Sequence, residues 1–171
     1  MNKRGAYFFV IDALIASSII TLSLIIIFTT HSIRPESNPT IRLAEDYTNY
    51  LISTKIREFQ GGSVQNYIAQ GNITNLDNTL MEQLIEFYYQ NTSGLKDTSE
   101  AMSTFTNDVS TGVIPAQRNF ALYINDSLIH TMGNKAIENS ELVISTKKIG
   151  FKRINSSFIY GPVILEVKIW V

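Results

Sequence analysis

Few side chains in this chain of 171 residues are of types that carry chemistry. There are two histidines, His31 and His130, and no cysteine. Without cysteine there is no thiol nucleophile and no thiolate-held metal. Neither histidine has a second one at His-x-x-x-His spacing, so the pattern predicts no metal site. His31 falls just after the apolar run, which leaves His130, in an expected strand, as the candidate general base of the folded part of the chain. Asp126 and Ser127 nearby would complete a Ser-His-Asp set on paper. No nucleophile-elbow glycine pattern accompanies them, and adjacent Asp and Ser are what a turn uses in any case. Glycine-rich phosphate loops and dinucleotide fingerprints are absent. The sequence therefore predicts a non-enzymatic chain with no catalytic residues, no cofactor and no metal.

Modification is a second kind of chemistry. Asn-x-Ser/Thr triplets occur at Asn72, Asn91, Asn125 and Asn155, while Asn38 is disqualified by Pro39. A chain this rich in Asn, Ser and Thr produces some triplets by chance. All four are expected in loops, turns or strand ends, where a glycan would be solvated if this part of the chain faces outward.

The remaining chemical group is Asp12, a lone carboxylate inside Ala6 to Phe28, AYFFVIDALIASSIITLSLIIIF. A helix needs about 20 residues to span a hydrocarbon core of about 30 Å, and this run is long enough. Its Ser17, Ser18, Thr21 and Ser23 can satisfy their hydroxyls on the helix backbone, so no polar face is required. A carboxylate at the centre of such a helix costs about 2.5–3.5 kcal/mol, less near an end. Asp12 either reaches the headgroup region or meets a partner. Lys3 and Arg4 precede the run, and the far flank offers Arg34 and Arg42 offset by Glu36 and Glu45. That asymmetry predicts a single-pass membrane protein, N-terminus cytoplasmic and the bulk outside.

A secretory signal peptide would have a shorter apolar region and a small-residue cleavage site after it. Here the run ends in Ile27-Phe28-Thr29-Thr30-His31. An ordinary signal anchor fits the same residues. The order of parts, Lys3-Arg4-Gly5 directly against the apolar run with an acid a few residues in, resembles the class III signal of archaeal type IV pilins, archaellins and related pseudopilins. The resemblance implies cleavage between Gly5 and Ala6 by a membrane-embedded prepilin peptidase, the apolar helix staying with the mature chain. It also implies that Asp12 pairs with the freed Ala6 amine of a neighbouring subunit. Asp12 stands two positions later than the early acid of many members, and Ala6 replaces a common glutamine.

The rest of the chain must form one modest folded unit. Hydrophobic residues make up 44% and charged residues 17%, enough for a core, and the net charge of −1 without a basic cluster predicts no nucleic-acid partner. Pro35 and Pro39 in His31–Pro39 mark a break, with Asn38 and Pro39 as a helix start. Helical spacing predicts a helix over 40–59 stopping at Gly61-Gly62, a short turn near 64–70, a helix over 79–89 opened by the Thr79/Glu82 capping pair, and a weaker one from Asp97 to Val109. The aromatic run Phe87-Tyr88-Tyr89 is expected in the core. From Asn119 the period becomes two, predicting strands at 120–124, 128–132, 141–149 and 160–171. The fold class is α+β: a basic leader (1–5), a membrane or filament helix (6–33), a helical part (34–118) and an antiparallel β-sheet (119–171).

The expected function is a pilin-like structural subunit of a cell-surface filament, held in membrane lipid and packed through Val10, Leu14, Ile15, Ile19 and Leu22. Its partners would be other pilin subunits, the prepilin peptidase and the assembly machinery. The alternative is a single-pass anchored protein with an outward ligand-binding or sensing head that never polymerises. They differ in cleavage at Gly5–Ala6 and in whether Asp12 finds a partner.

Overall fold

A computed structural model describes the backbone of residues 3–32 and 39–171, with the side chains of 10–28 and 39–171. The predicted break at Pro35 and the predicted cap at Asn38 lie outside the described residues. The chain forms two compact units, 1–37 and 38–171. The described residues of the first form one helix, α1 (Lys3–Ser32).

The second unit is α+β. Its helices are α2 (Pro39–Ser53), α3 (Gly62–Ala69), α4 (Leu80–Thr92) and α5 (Ser99–Ser110), with 3-10 turns at Ile56–Glu58 and Ile137–Asn139. Strands β1 (Asn119–Ile124), β2 (Ser127–Met132), β3 (Val143–Arg153) and β4 (Ile159–Trp170) form an antiparallel sheet in the order β2-β1-β4-β3.

One sheet face is the core. Phe120, Leu122 and Ile124 of β1 stand opposite Ile169, Val167 and Leu165 of β4, and all six are fully buried. Helices α2, α4 and α5 supply Tyr47, Leu51, Leu84, Phe87, Phe105 and Val109 against them. Rings meet edge-on, Tyr47 to Phe120 at 5.1 Å and Phe87 to Phe105 at 5.9 Å, the arrangement favoured by aromatic quadrupoles. The Tyr47 hydroxyl has no hydrogen-bond partner among the described residues; burial, then the neighbouring Tyr50, pushes its pKa well up. Of the predicted aromatic run only Phe87 is buried. Tyr88 is half-buried, and Tyr89 is half-buried against Tyr160, the rings tilted at 54° with centroids 4.9 Å apart.

Helix α4 begins where its capping pair predicts. Thr79 Oγ1 accepts the Glu82 N–H and Glu82 Oε2 accepts the Thr79 N–H, satisfying two orphan donors reciprocally. Helix α2, by contrast, ends at Ser53 and does not reach Phe59. Past Thr54 the backbone turns extended and exchanges intrahelical bonds for bonds across the chain. Leu80 N–H donates to Thr54 O, Ile56 N–H to Asn78 O and Arg57 N–H to Leu76 O. These bonds satisfy the Ile56, Arg57 and Leu80 N–H groups and put Ile56 in the core, fully buried. Strand β3 starts at Val143, two residues later than the alternation predicts, and continues through Gly150 to Arg153 beside β4. A Cβ on Gly150 would stand 2.4 Å from Met81 Cε, so glycine here admits α4 to the sheet.

The second sheet face is partly covered. Trp170, on the opposite face from Ile169, is buried and its indole N–H donates to the Lys135 carbonyl at 2.8 Å. The β2–β3 connection therefore closes over that end of the sheet.

Candidate functional site

Helix α1 runs through the Gly5–Ala6 junction, whose surroundings lie outside the described residues. Val10–Phe28, 19 residues with mean hydropathy 2.5, is long and apolar enough to cross a membrane. None of it is buried. Within it Ser18, Thr21 and Ser23 each donate a hydroxyl hydrogen to the carbonyl four residues earlier, at 2.8 Å, so these hydroxyls need no water. Asp12 is exposed on this helix.

Successive residues turn by about 100° around a helix, which divides the expected packing positions between two faces. Ile15, Ile19 and Leu22 share the side of Asp12. Val10 and Leu14 lie opposite, lining a shallow depression with Ala13 and Ser17. All five apolar side chains are exposed. The arrangement can bury apolar surface against neighbours on both sides at once, with the carboxylate at the edge of one contact.

In the folded unit, His130 projects from β2 toward α5. Its Nδ1 lies 3.1 Å from Ser103 Oγ, while Nε2 is buried with no partner among the described residues. Burial holds its pKa below the ordinary imidazole value. Asp126, in the β1–β2 turn, and Ser127, the first residue of β2, are exposed, and Asn125 and Asp126 have φ of 47° and 63°. The paper triad is thus replaced by a Ser103–His130 pair without a carboxylate to orient the ring. Ser103 was not legible as its partner, because 27 residues separate the two. Among the described residues no cluster of three or more His, Asp or Glu side chains could hold a metal.

Around Glu166, at the middle of the outer sheet face, Ser145 Oγ donates at 2.6 Å, and Lys147 and Lys168 stand at 3.3 and 3.6 Å. Burial pushes the Glu166 pKa up, but these three partners outweigh it and hold the carboxyl below its ordinary value. Lys168 also lies 4.5 Å over the Tyr123 ring. A cleft of about 470 Å³ between α3 and the start of α5 is lined by Ser63, Tyr67, Lys96, Asp97 and Glu100 among others. Its charges are mixed in sign. Asp108 accepts from Ser63, and Lys96 donates to Asn72.

The four asparagine triplets are not equivalent. Asn125 and Asn155 are exposed at turns. Their Oδ1 atoms accept Ile164 N–H at 2.8 Å and Ser157 N–H at 2.9 Å. Asn72 is half-buried in the turn after α3. Asn91 is not in a loop: it lies in the last turn of α4, half-buried, its Oδ1 accepting from Thr98 N–H and Ser99 Oγ. The helix runs past Tyr89 because Ser93 and Thr92 bond back to Tyr89 and Tyr88 carbonyls, extending it by a turn.

Comparison of the chain with protein-family models, with characterised proteins and with solved structures found no match.

Proposed function

We propose that this chain is a non-enzymatic, pilin-like subunit of a surface filament, inserted in the membrane by α1 and assembled through it. The observation that carries this reading is the 19-residue apolar span Val10–Phe28, with exposed side chains on all its faces, inside an apolar run that starts at Ala6 directly after Lys3-Arg4-Gly5. Such a surface is stable only against lipid or other apolar helices. Two packing faces, one bearing Asp12, suit a helix that moves from lipid into a bundle of copies. In the membrane Asp12 is expensive; beside the amine of a cleaved Ala6 it becomes a register-setting ion pair. The basic leader keeps the N-terminus cytoplasmic and the 38–171 unit outside.

Co-expression with a prepilin peptidase tests this directly. The mature chain should begin at Ala6 and lose the mass of its first five residues. A chain that still begins at Met1 or Asn2, and stays monomeric in detergent and in cells, would be a tethered ectodomain with a sensing or ligand-binding head. The open, polar 470 Å³ cleft is the feature favouring that second reading.

A further inference from the structure

We propose that Lys152 and Asn78 become joined by an intramolecular isopeptide bond, with Glu86 as the group that moves the protons. Three elements bring these side chains together: β3 carries Lys152, the segment before α4 carries Asn78, and α4 carries Glu86. Lys152 and Asn78 are both buried, at 7% and 2% exposure. Lys152 Nζ donates to Asn78 Oδ1, one bond from the carboxamide carbon. Asn78 Nδ2 donates to Glu86 Oε2 at 2.9 Å and to Gln83 Oε1 at 3.0 Å. The same Glu86 oxygen stands 3.4 Å from Lys152 Nζ. One carboxylate oxygen therefore touches both the attacking amine and the nitrogen that would leave.

The order of contacts is the order the reaction needs. Glu86 takes a proton from the Lys152 ammonium, freeing the nitrogen lone pair. Nζ attacks Asn78 Cγ, a C–N bond forms, and the carbonyl electrons move to Oδ1. Glu86 returns its proton to Nδ2 as the carbonyl re-forms and the old C–N bond breaks. The second amine proton leaves with the departing ammonia as ammonium, so hydrogen and charge balance, and nothing is oxidised or reduced. No co-reactant is required. Taking the proton off Lys152 also removes a charge pair from a poorly solvated site, where two charges are costly.

Aminolysis of an amide is slow between free molecules. Holding the amine against the carbonyl in one packed geometry supplies the missing effective concentration. A cleft of about 250 Å³ lined by Glu86, Tyr89, Leu95 and Lys152 gives the ammonia a way out. After reaction the new amide N–H can donate to Glu86, so the buried polar groups remain paired. The bond would join residues 74 positions apart, clamping β3 to the start of α4. A clamp of this reach restricts the unfolded chain as a disulfide would, in a protein without cysteine. It requires only the 38–171 unit and is independent of whether the chain polymerises.

Tandem mass spectrometry of a tryptic digest of the purified full chain is the test. The expected product is the 58–96 peptide joined to the 149–153 peptide, its mass their sum less one ammonia, with no cleavage after Lys152. Glu86→Gln should give the linear 58–96 peptide at full mass and, with Lys152 open to trypsin, the 149–152 peptide, while circular dichroism stays that of the parent. Lys152→Arg should do the same. Separate linear peptides from the parent chain overturn the proposal. So does an ammonia loss confined to Asn78-Thr79, the signature of a succinimide. Cross-linking of Glu86→Gln at the parent level overturns the role of Glu86.

Discussion

Asn119 occupies the space that a Cβ on Gly133 would fill. The added atom would lie 2.2 Å from Asn119 Oδ1 and 2.9 Å from its Cα, and Gly133 has φ of +109°. Asn119 Oδ1 accepts the N–H groups of both Asn134 and Lys135 at 3.0 Å. That pairing starts the β2–β3 connection, which then covers Trp170.

Gly133→Ala should therefore lower stability by about 2 kcal/mol or more, combining left-handed strain with contact against backbone that cannot yield. Thermal melts in detergent should show a fall of several degrees, with Trp170 fluorescence shifted toward an exposed indole.

His130 gives a pH dependence near neutrality. Its folded pKa lies below the unfolded value of about 6.5, so the unfolded chain takes up its proton first as pH falls. Stability should decline from about pH 7 to pH 5. His130→Gln should flatten that slope in melting curves recorded across the window; an unchanged slope would assign it to other groups.

Glu166 acts at lower pH. Its folded pKa is depressed, so its contribution is complete above the unfolded carboxyl value of about 4.3 and is lost as pH falls through the folded value. Glu166→Gln should reduce stability at neutral pH and shrink the acid limb of the stability profile. Ser145→Ala should do so in part.

The asparagine sites should be modified unequally. Where the chain is made in a host that glycosylates Asn-x-Ser/Thr, glycopeptides are expected at Asn125 and Asn155. Asn91, half-buried in the last turn of α4, should remain bare.

Asp12→Ala removes the carboxylate without touching the folded unit. Membrane insertion should persist or improve, since an ionised side chain costs about 2.5–3.5 kcal/mol at mid-bilayer. Recovery in sheared surface filaments should fall to background. Filaments at the parent level would remove Asp12 from assembly.

What the sequence determined by itself is what neighbours along the chain decide. The apolar run of α1, the Thr79/Glu82 pair and the Asn125-Asp126 turn each depend on residues within a few positions of one another. Periods of 3.6 and 2 exposed α4, α5 and β4 for the same reason. Tertiary structure decided where a local pattern stops and which distant groups meet. Helical spacing continued past Ser53, yet cross-chain bonds from Ile56 and Leu80 ended α2 there. His130 met Ser103 and not its neighbours Asp126 and Ser127, because the pleat of β2 turns the imidazole toward α5. The Lys152, Asn78 and Glu86 cluster had no signature at all. Its members are brought together by packing between β3 and α4, and side-chain contact across a core leaves no period in the chain.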